Sequence, residues 1–213
     1  PLVLQSRTVL ELAAGSTIIF SHDPQDYPVV HTWFEASEVM NYSPLIYAKG
    51  VHDAGIRGKG TLEGNGHIHC KTKLACWSSF FDGSIASAKK LHGMNARGVP
   101  LDKRVFGSGE SLRPNMVEFF ECERVLLEGV TLRNAPMWTV HPVLTRGFVM
   151  RGVTVTSHTA NNDGVDPDMS QDVLIEDCTF VTSDDGVAIK AGRTRDGVRR
   201  ARPTERVVVR RCE

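Results

Sequence analysis

The chain has 213 residues, 41% of them hydrophobic and 23% charged, which is enough for one domain with a buried core. Its 25 basic residues balance 25 acidic ones, so charge argues against nucleic acid or an anionic membrane as the main partner. No apolar run approaches the ~20 residues that a membrane-spanning helix needs.

The opening "PLVLQSRTVLEL" reads as strand, and the chain begins with Pro rather than Met. It also stops in the strand-like run "RVVVRRCE", so it is read as a piece of a longer protein, incomplete at both ends. From Asp53, "DAGIRGKGTLEG" is a faint copy of a pattern that becomes clear later. Residues 67–112 then break the pattern. This region holds Trp77, Phe80 and Phe81, and a short helix is expected from Ser84 to Asn95.

Past the insertion the pattern returns in four copies, "ERVLLEGVTL" from Glu123, "RGFVMRGVTV" from Arg146, "QDVLIEDCTF" from Gln171 and "ERVVVRRC" from Glu205. Val125, Phe148, Val173 and Val207 share one column. Leu127, Met150, Ile175 and Val209 share the next, and Val130, Val153, Cys178 and Cys212 a third. Alternation with period two says strand with one buried face. A repeat of 20 to 50 residues says solenoid. Two short strands per copy, broken at a turn and free of helical period, predict an all-β chain wound as a parallel β-helix. A leucine-rich repeat would need Leu and Asn positions that these copies lack. The whole is read as one partial β-helix domain over 1–213, with loops at 67–112 and 191–203 leaving the stack. Long insertions in solenoids gather on one face, often the binding face.

The five cysteines (Cys70, Cys76, Cys122, Cys178 and Cys212) are odd in number and irregularly spaced. Buried or free thiols are expected, rather than a disulfide framework or a zinc site.

Residues 161–186 hold eight acidic side chains among 26. Asp163-Gly164-Val165 is echoed 22 residues later by Asp185-Gly186-Val187. Aligning the two puts Asp163 and Asp185 on neighbouring coils at one angular position, with Asp184 beside them. Three carboxylates in one patch repel, so at least one pKa should rise. One protonated and one ionised carboxyl suit acid–base cleavage of a glycosidic bond. Spacing alone also fits stacked structural turns or a calcium site.

Longer motifs sharpen the choice. "NNDGVDPDMSQDVLIEDCTF", followed by "SDDGVAIKAGR", resembles the signature of the polygalacturonases (family-28 glycoside hydrolases). The likeness extends through "SPLIYAKG", "RVFGSGESLRP" and "NAPMWTVHPV" and is strongest to the bacterial exo-acting branch. It implies a right-handed parallel β-helix that hydrolyses α-1,4 links between galacturonic acids in pectin, with inversion and by protons alone, without metal or cofactor. By position, Asp184 resembles the general acid, and Asp163 and Asp185 the carboxylates that hold and activate water. Asp184 and Asp185 are expected to point to opposite faces of a strand, so that the acid–base distance differs from the coil spacing. Asn162, Trp138, His141, Lys190 and Arg193 are candidate contacts for an oligogalacturonate. Lys and Arg suit the sugar carboxylate, while Arg195 to Arg206 read as a solvated charged loop. Gly186 stands where many relatives have Cys. The family's later His-Gly and Arg-x-Lys motifs are absent, so these 213 residues alone are expected to be nearly inactive. Rhamnogalacturonan hydrolysis, or a non-catalytic β-helix that binds or scaffolds, are the rival readings.

Overall fold

In the computed structural model, residues 1–68 and 76–213 are described. The first strands are β1 (Leu2–Val3), β2 (Val9–Leu12), β3 (Thr17–Ile19), β4 (Val29–Phe34), β5 (Ser37–Tyr42), β6 (Ile46–Lys49), β7 (His52–Gly58) and β8 (Thr61–Glu63). Helix α1 (Phe81–Ala96) follows, then β9 (Val105–Phe106), β10 (Val117–Phe120), β11 (Glu123–Glu128), β12 (Thr131–Arg133), β13 (Val140–Val143), β14 (Arg146–Arg151) and β15 (Thr154–Ser157). Last come β16 (Gln171–Glu176), β17 (Thr179–Thr182), helix α2 (Arg195–Arg200) and β18 (Glu205–Arg210).

The repeat becomes stacking. One sheet runs β18-β16-β14-β11-β7-β2, a second β17-β15-β12-β8-β3 and a third β1-β6-β10-β13, every pairing parallel. The register matches the sequence columns: Val125 pairs with Phe148, Phe148 with Val173 and Val173 with Val207. Leu127, Met150 and Ile175 are likewise in register and fully buried. Each coil alone would leave this apolar face wet, and the next coil covers it. In β18, the outermost strand of this sheet, Val209 is 43% exposed.

The coils turn at residues in the left-handed region. Gly50, Glu121, Leu144 and Met169 take positive φ where β6, β10 and β13 end and at the next coil's equivalent position. Gly129, Gly152, Asp177 and Arg211 do so at a second corner. A non-glycine residue there costs ~1–2 kcal/mol, which the stacked hydrogen bonds on either side offset. On the outer face of the largest sheet, opposite charges alternate from coil to coil. Arg124 pairs with Asp53, Arg146 and Arg206 with Asp172, and Arg151 and Arg210 with Glu176.

Two elements differ from the sequence reading. Strands β4 and β5 form an antiparallel hairpin outside the stack, extended by β9. The stretch from Arg195 to Arg206, read as a solvated charged loop, is mostly exposed but is tied down at its start. It holds α2, and Asp196, 2% exposed, pairs with the buried Arg104. Arg199 and Arg200 both reach the buried Glu38 of β5. Burial opposes the charge of Glu38, but hydrogen bonds from His31 and Arg200 outweigh it and lower the pKa of the carboxyl to about 2.

The expected helix forms and is longer, Phe81–Ala96. Ser87, Leu91 and Asn95, four residues apart, make its buried face. Leu91 packs with Phe34, Val39 and Phe106, and Asn95 donates to Ser37 and Thr194. Cys76 is disulfide-bonded, contrary to the thiol expectation. Cys122, Cys178 and Cys212 are free thiols, and Cys70 lies outside the described residues.

Candidate active site

The stacking that orders the core also sets the acidic pair. Val140, Val165 and Val187 form a ladder of parallel bridges, and the amide of Gly164 donates to the carbonyl of Asp185 at 2.8 Å. Asp163 therefore lies over Asp185. Gly164 is required for this approach: a Cβ there would stand 2.4 Å from both the Gly186 carbonyl oxygen and Phe180 Cδ1. Gly186 is less constrained, because a Cβ there would meet its nearest neighbour at 3.4 Å.

One carboxylate oxygen each from Asp163, Asp184 and Asp185 lies within 4.8 Å of the others. Asp184 and Asp185 occupy a bend beyond β17 rather than a strand. The expectation of opposite faces therefore fails: the bend frees both side chains from strand alternation, and all three converge.

They open onto a cavity of about 420 Å³. Trp138 and Lys190 line it beside the acids, Glu35 and Ala36 at the tip of the β4–β5 hairpin line it too, and Asn161, Ala191, Gly192 and Arg193 complete the lining. Lys190 Nζ stands 4.4 Å from the centre of the Trp138 ring, 2.9 Å from Asp166 Oδ1 and 3.6 Å from Asp163 Oδ2. Asp166 is fully buried, and neither of its oxygens has a hydrogen bond of good geometry. Burial, then the charge of Asp163, push its pKa well above the usual carboxylate range, against Lys190 and His141. Burial also raises Asp163, with the charges of Asp184 and Asp185 adding to it, while Asp166 and Lys190 oppose. The expected rise therefore falls on Asp163.

Two of the candidate contacts are not available to a sugar. Asn162 is fully buried. Its amide donates to the carbonyls of Ala135 and Met137, and its oxygen accepts from Ser157, from the Thr159 hydroxyl and from the Thr159 backbone N–H. It shapes the turn that presents Asp163. His141 is also fully buried, with Nδ1 2.9 Å from Asn115 Nδ2 and 3.5 Å from Glu118 Oε2. Burial opposes its charge, but Asp168 and Glu118 outweigh burial and raise the imidazole to about 9. Its ring meets the edge of Trp138 at a centroid distance of 5.1 Å, so it supports the cavity wall from behind.

Sequence reasoning left out Asp166, Glu35 and Asn161. Asp166 stands in the quoted motif, and its partner Lys190 in the second one. Glu35 carries no sequence signal, since the hairpin that brings it to the cavity has no counterpart in the repeat.

The family model for glycosyl hydrolases family 28 matches residues 30–199. The chain belongs to this family. It is 40% identical to an exopolygalacturonase of Thermotoga maritima of known structure, with a TM-score of 0.90, covering 100% of this chain and 49% of that one. It is 27% identical to a probable polygalacturonase of Vitis vinifera, over 98% of this chain and 38% of the relative. To an endo-polygalacturonase of Pectobacterium carotovorum subsp. carotovorum it is also 27% identical, over 93% of this chain and 46% of the relative. The chain thus spans half or less of the length of these relatives. As a member of family 28 it shares the right-handed parallel β-helix of its structural neighbours.

Proposed function

We propose that this family-28 chain carries the catalytic carboxylates of an exo-acting hydrolase that cleaves α-1,4-galacturonosyl links of polygalacturonate with inversion. The observation that carries the reading is the convergence of Asp163, Asp184 and Asp185 within 4.8 Å, at a cavity also lined by Lys190 and Arg193. The names of the relatives support the substrate, and the Thermotoga maritima enzyme supports the exo mode.

In this mechanism Asp184 gives its proton to the glycosidic oxygen as the bond to the anomeric carbon breaks. Asp163 and Asp185, stacked on adjacent coils, hold a water against the opposite face of the sugar; its oxygen bonds to the anomeric carbon as its proton passes to the carboxylate pair. The raised pKa of Asp163 makes it the stronger base for that step. Lys190 keeps one donor for a sugar carboxylate beyond the two turned to Asp166 and Asp163, and Arg193 offers a paired fork. Trp138 lies under Lys190, and only a small part of it reaches the cavity surface.

A closest-oxygen separation under 4.8 Å would by itself favour retention. Inversion rests on the family motifs, with the water held by two acids while a third protonates. Proton NMR of the first product decides it in the complete protein. The β-anomer of the released sugar supports inversion, and the α-anomer appearing first would overturn it. In the same protein Asp184→Asn should lower hydrolysis of polygalacturonate by ~10²–10⁴ and leave oligogalacturonate binding nearly intact. Near-normal turnover would remove Asp184 from its role, and faster release of sugar from rhamnogalacturonan than from polygalacturonate would overturn the substrate.

A further inference from the structure

Three segments that lie outside the coil repeat meet at one side chain. Asn95, near the end of α1, is fully buried. Its Nδ2 donates to Ser37 Oγ at 2.7 Å and to Thr194 Oγ1 at 2.9 Å, and its Oδ1 accepts from the Asp196 backbone N–H at 3.2 Å. A peptide N–H can only donate, so it fixes which end of the amide faces it. The amide nitrogen is thereby committed to the two hydroxyls. The Thr194 hydroxyl in turn donates to the carbonyl of Ala36. Helix α1, the β4–β5 hairpin and the start of α2 are thus tied by one run of hydrogen bonds.

The knot continues into a buried ion pair. Asp196 pairs with Arg104 and also accepts from the Glu38 backbone N–H at 3.0 Å. Arg104 donates in addition to the carbonyls of Val99 and Glu38. A buried pair offsets its desolvation only when further hydrogen bonds satisfy both partners, and here they do. Helix α2 is also pressed against the backbone of the cleft, since a Cβ on Gly197 would collide with the Gly192 carbonyl oxygen. The knot stands one residue behind the cleft lining. Ala36, which lines the cleft, precedes Ser37, and Arg193, which lines it too, precedes Thr194.

We propose that Asn95 is a positioning residue for the substrate: through Thr194 it fixes where Arg193 stands relative to the hairpin tip and the catalytic acids. The inference rests on the substrate reading above, in which Arg193 meets a sugar carboxylate. A guanidinium fork grips a carboxylate at two points, so its backbone must be in a set place. The link from Thr194 to Ala36 holds it there before the sugar arrives, and the ordering cost falls on folding instead of binding. The insertion that carries Asn95 and Arg104 thus acts on affinity from behind the wall and touches no sugar.

Kinetics of the complete protein on polygalacturonate test this. Asn95→Ala removes the hub, and Thr194→Val removes only the hydroxyl between Asn95 and Ala36. Each should raise KM about tenfold, the worth of one charge-assisted contact. Each should change kcat by less than about twofold and leave both limbs of the pH profile in place. Thr194→Ser, which keeps the hydroxyl, should stay within about twofold of the parent throughout. In an Arg193→Ala background the contact is already gone, so Thr194→Val should alter kcat/KM by less than about twofold. A merely structural role would lower kcat/KM by the same factor in both backgrounds, and that result would overturn the inference. So would an unchanged KM in Thr194→Val, a near-isosteric variant that decides the matter even if Asn95→Ala does not fold. A parent protein that leaves polygalacturonate uncleaved would overturn the substrate reading, and this inference with it.

Discussion

Lys190 Nζ lies 2.9 Å from Asp166 Oδ1, an oxygen that no water reaches. This one cation holds down the pKa of two acids, Asp166 and Asp163, whose burial pushes them up. Lys190→Met should therefore raise both further. Since the base must be ionised, the acid limb of the rate against pH should move to higher pH in the variant, by about one unit or more. A limb that stays in place, with only KM raised, would make Lys190 a sugar contact and nothing else.

Gly164→Ala should be disruptive beyond its size. The added methyl would stand 2.4 Å from the Gly186 carbonyl oxygen and from Phe180, so the coils must part. A loss of ~1–3 kcal/mol in urea unfolding is expected, with a larger fall in activity because Asp163 moves away from Asp185. Gly186→Ala, whose methyl finds only ordinary contacts, should cost far less. Equal losses in the two variants would contradict the stacking argument.

His141 titrates against the usual direction for a buried imidazole. Its folded pKa is about 9, well above the ordinary value of about 6.5 for a free imidazole. Folding therefore gains most from its proton below pH 6.5, and the gain disappears as pH rises through 9. It amounts to on the order of 3 kcal/mol, at about 1.4 kcal/mol per unit. In NMR one of the eight histidines should titrate near 9 and be lost in His141→Gln. If every imidazole titrates at or below 6.5, the Glu118–His141–Asp168 arrangement is misread.

Hydrolysis should not depend on a metal. Asp163, Asp184 and Asp185 converge closely enough to hold a cation, but a calcium loop draws oxygens from carbonyls and amides as well, and the proposed chemistry needs only protons. Full activity after chelation is expected. Activity lost to chelator and restored by calcium would reassign the cluster.

The coil and the acid motifs were legible in the sequence because both are local and repeated. A column such as Leu127, Met150 and Ile175 must recur wherever each coil needs the next to cover its apolar face. Asp163-Gly164-Val165 and Asp185-Gly186-Val187 share a turn, and that alone places one over the other. Only the tertiary structure decided what converges from outside the repeat. The β4–β5 hairpin brings Glu35 to the cleft, and α2 docks through Asp196 on Arg104 and through Arg200 on Glu38. These contacts join residues far apart in the chain and leave no periodicity to read. Burial was equally hidden. His141 and Asn162 are polar residues in a family motif, which looks the same whether the side chain faces a sugar or is spent on its neighbours. Their hydrogen-bond partners settle that, and Ala135, Met137 and Asn115 among those partners come from the adjacent coil.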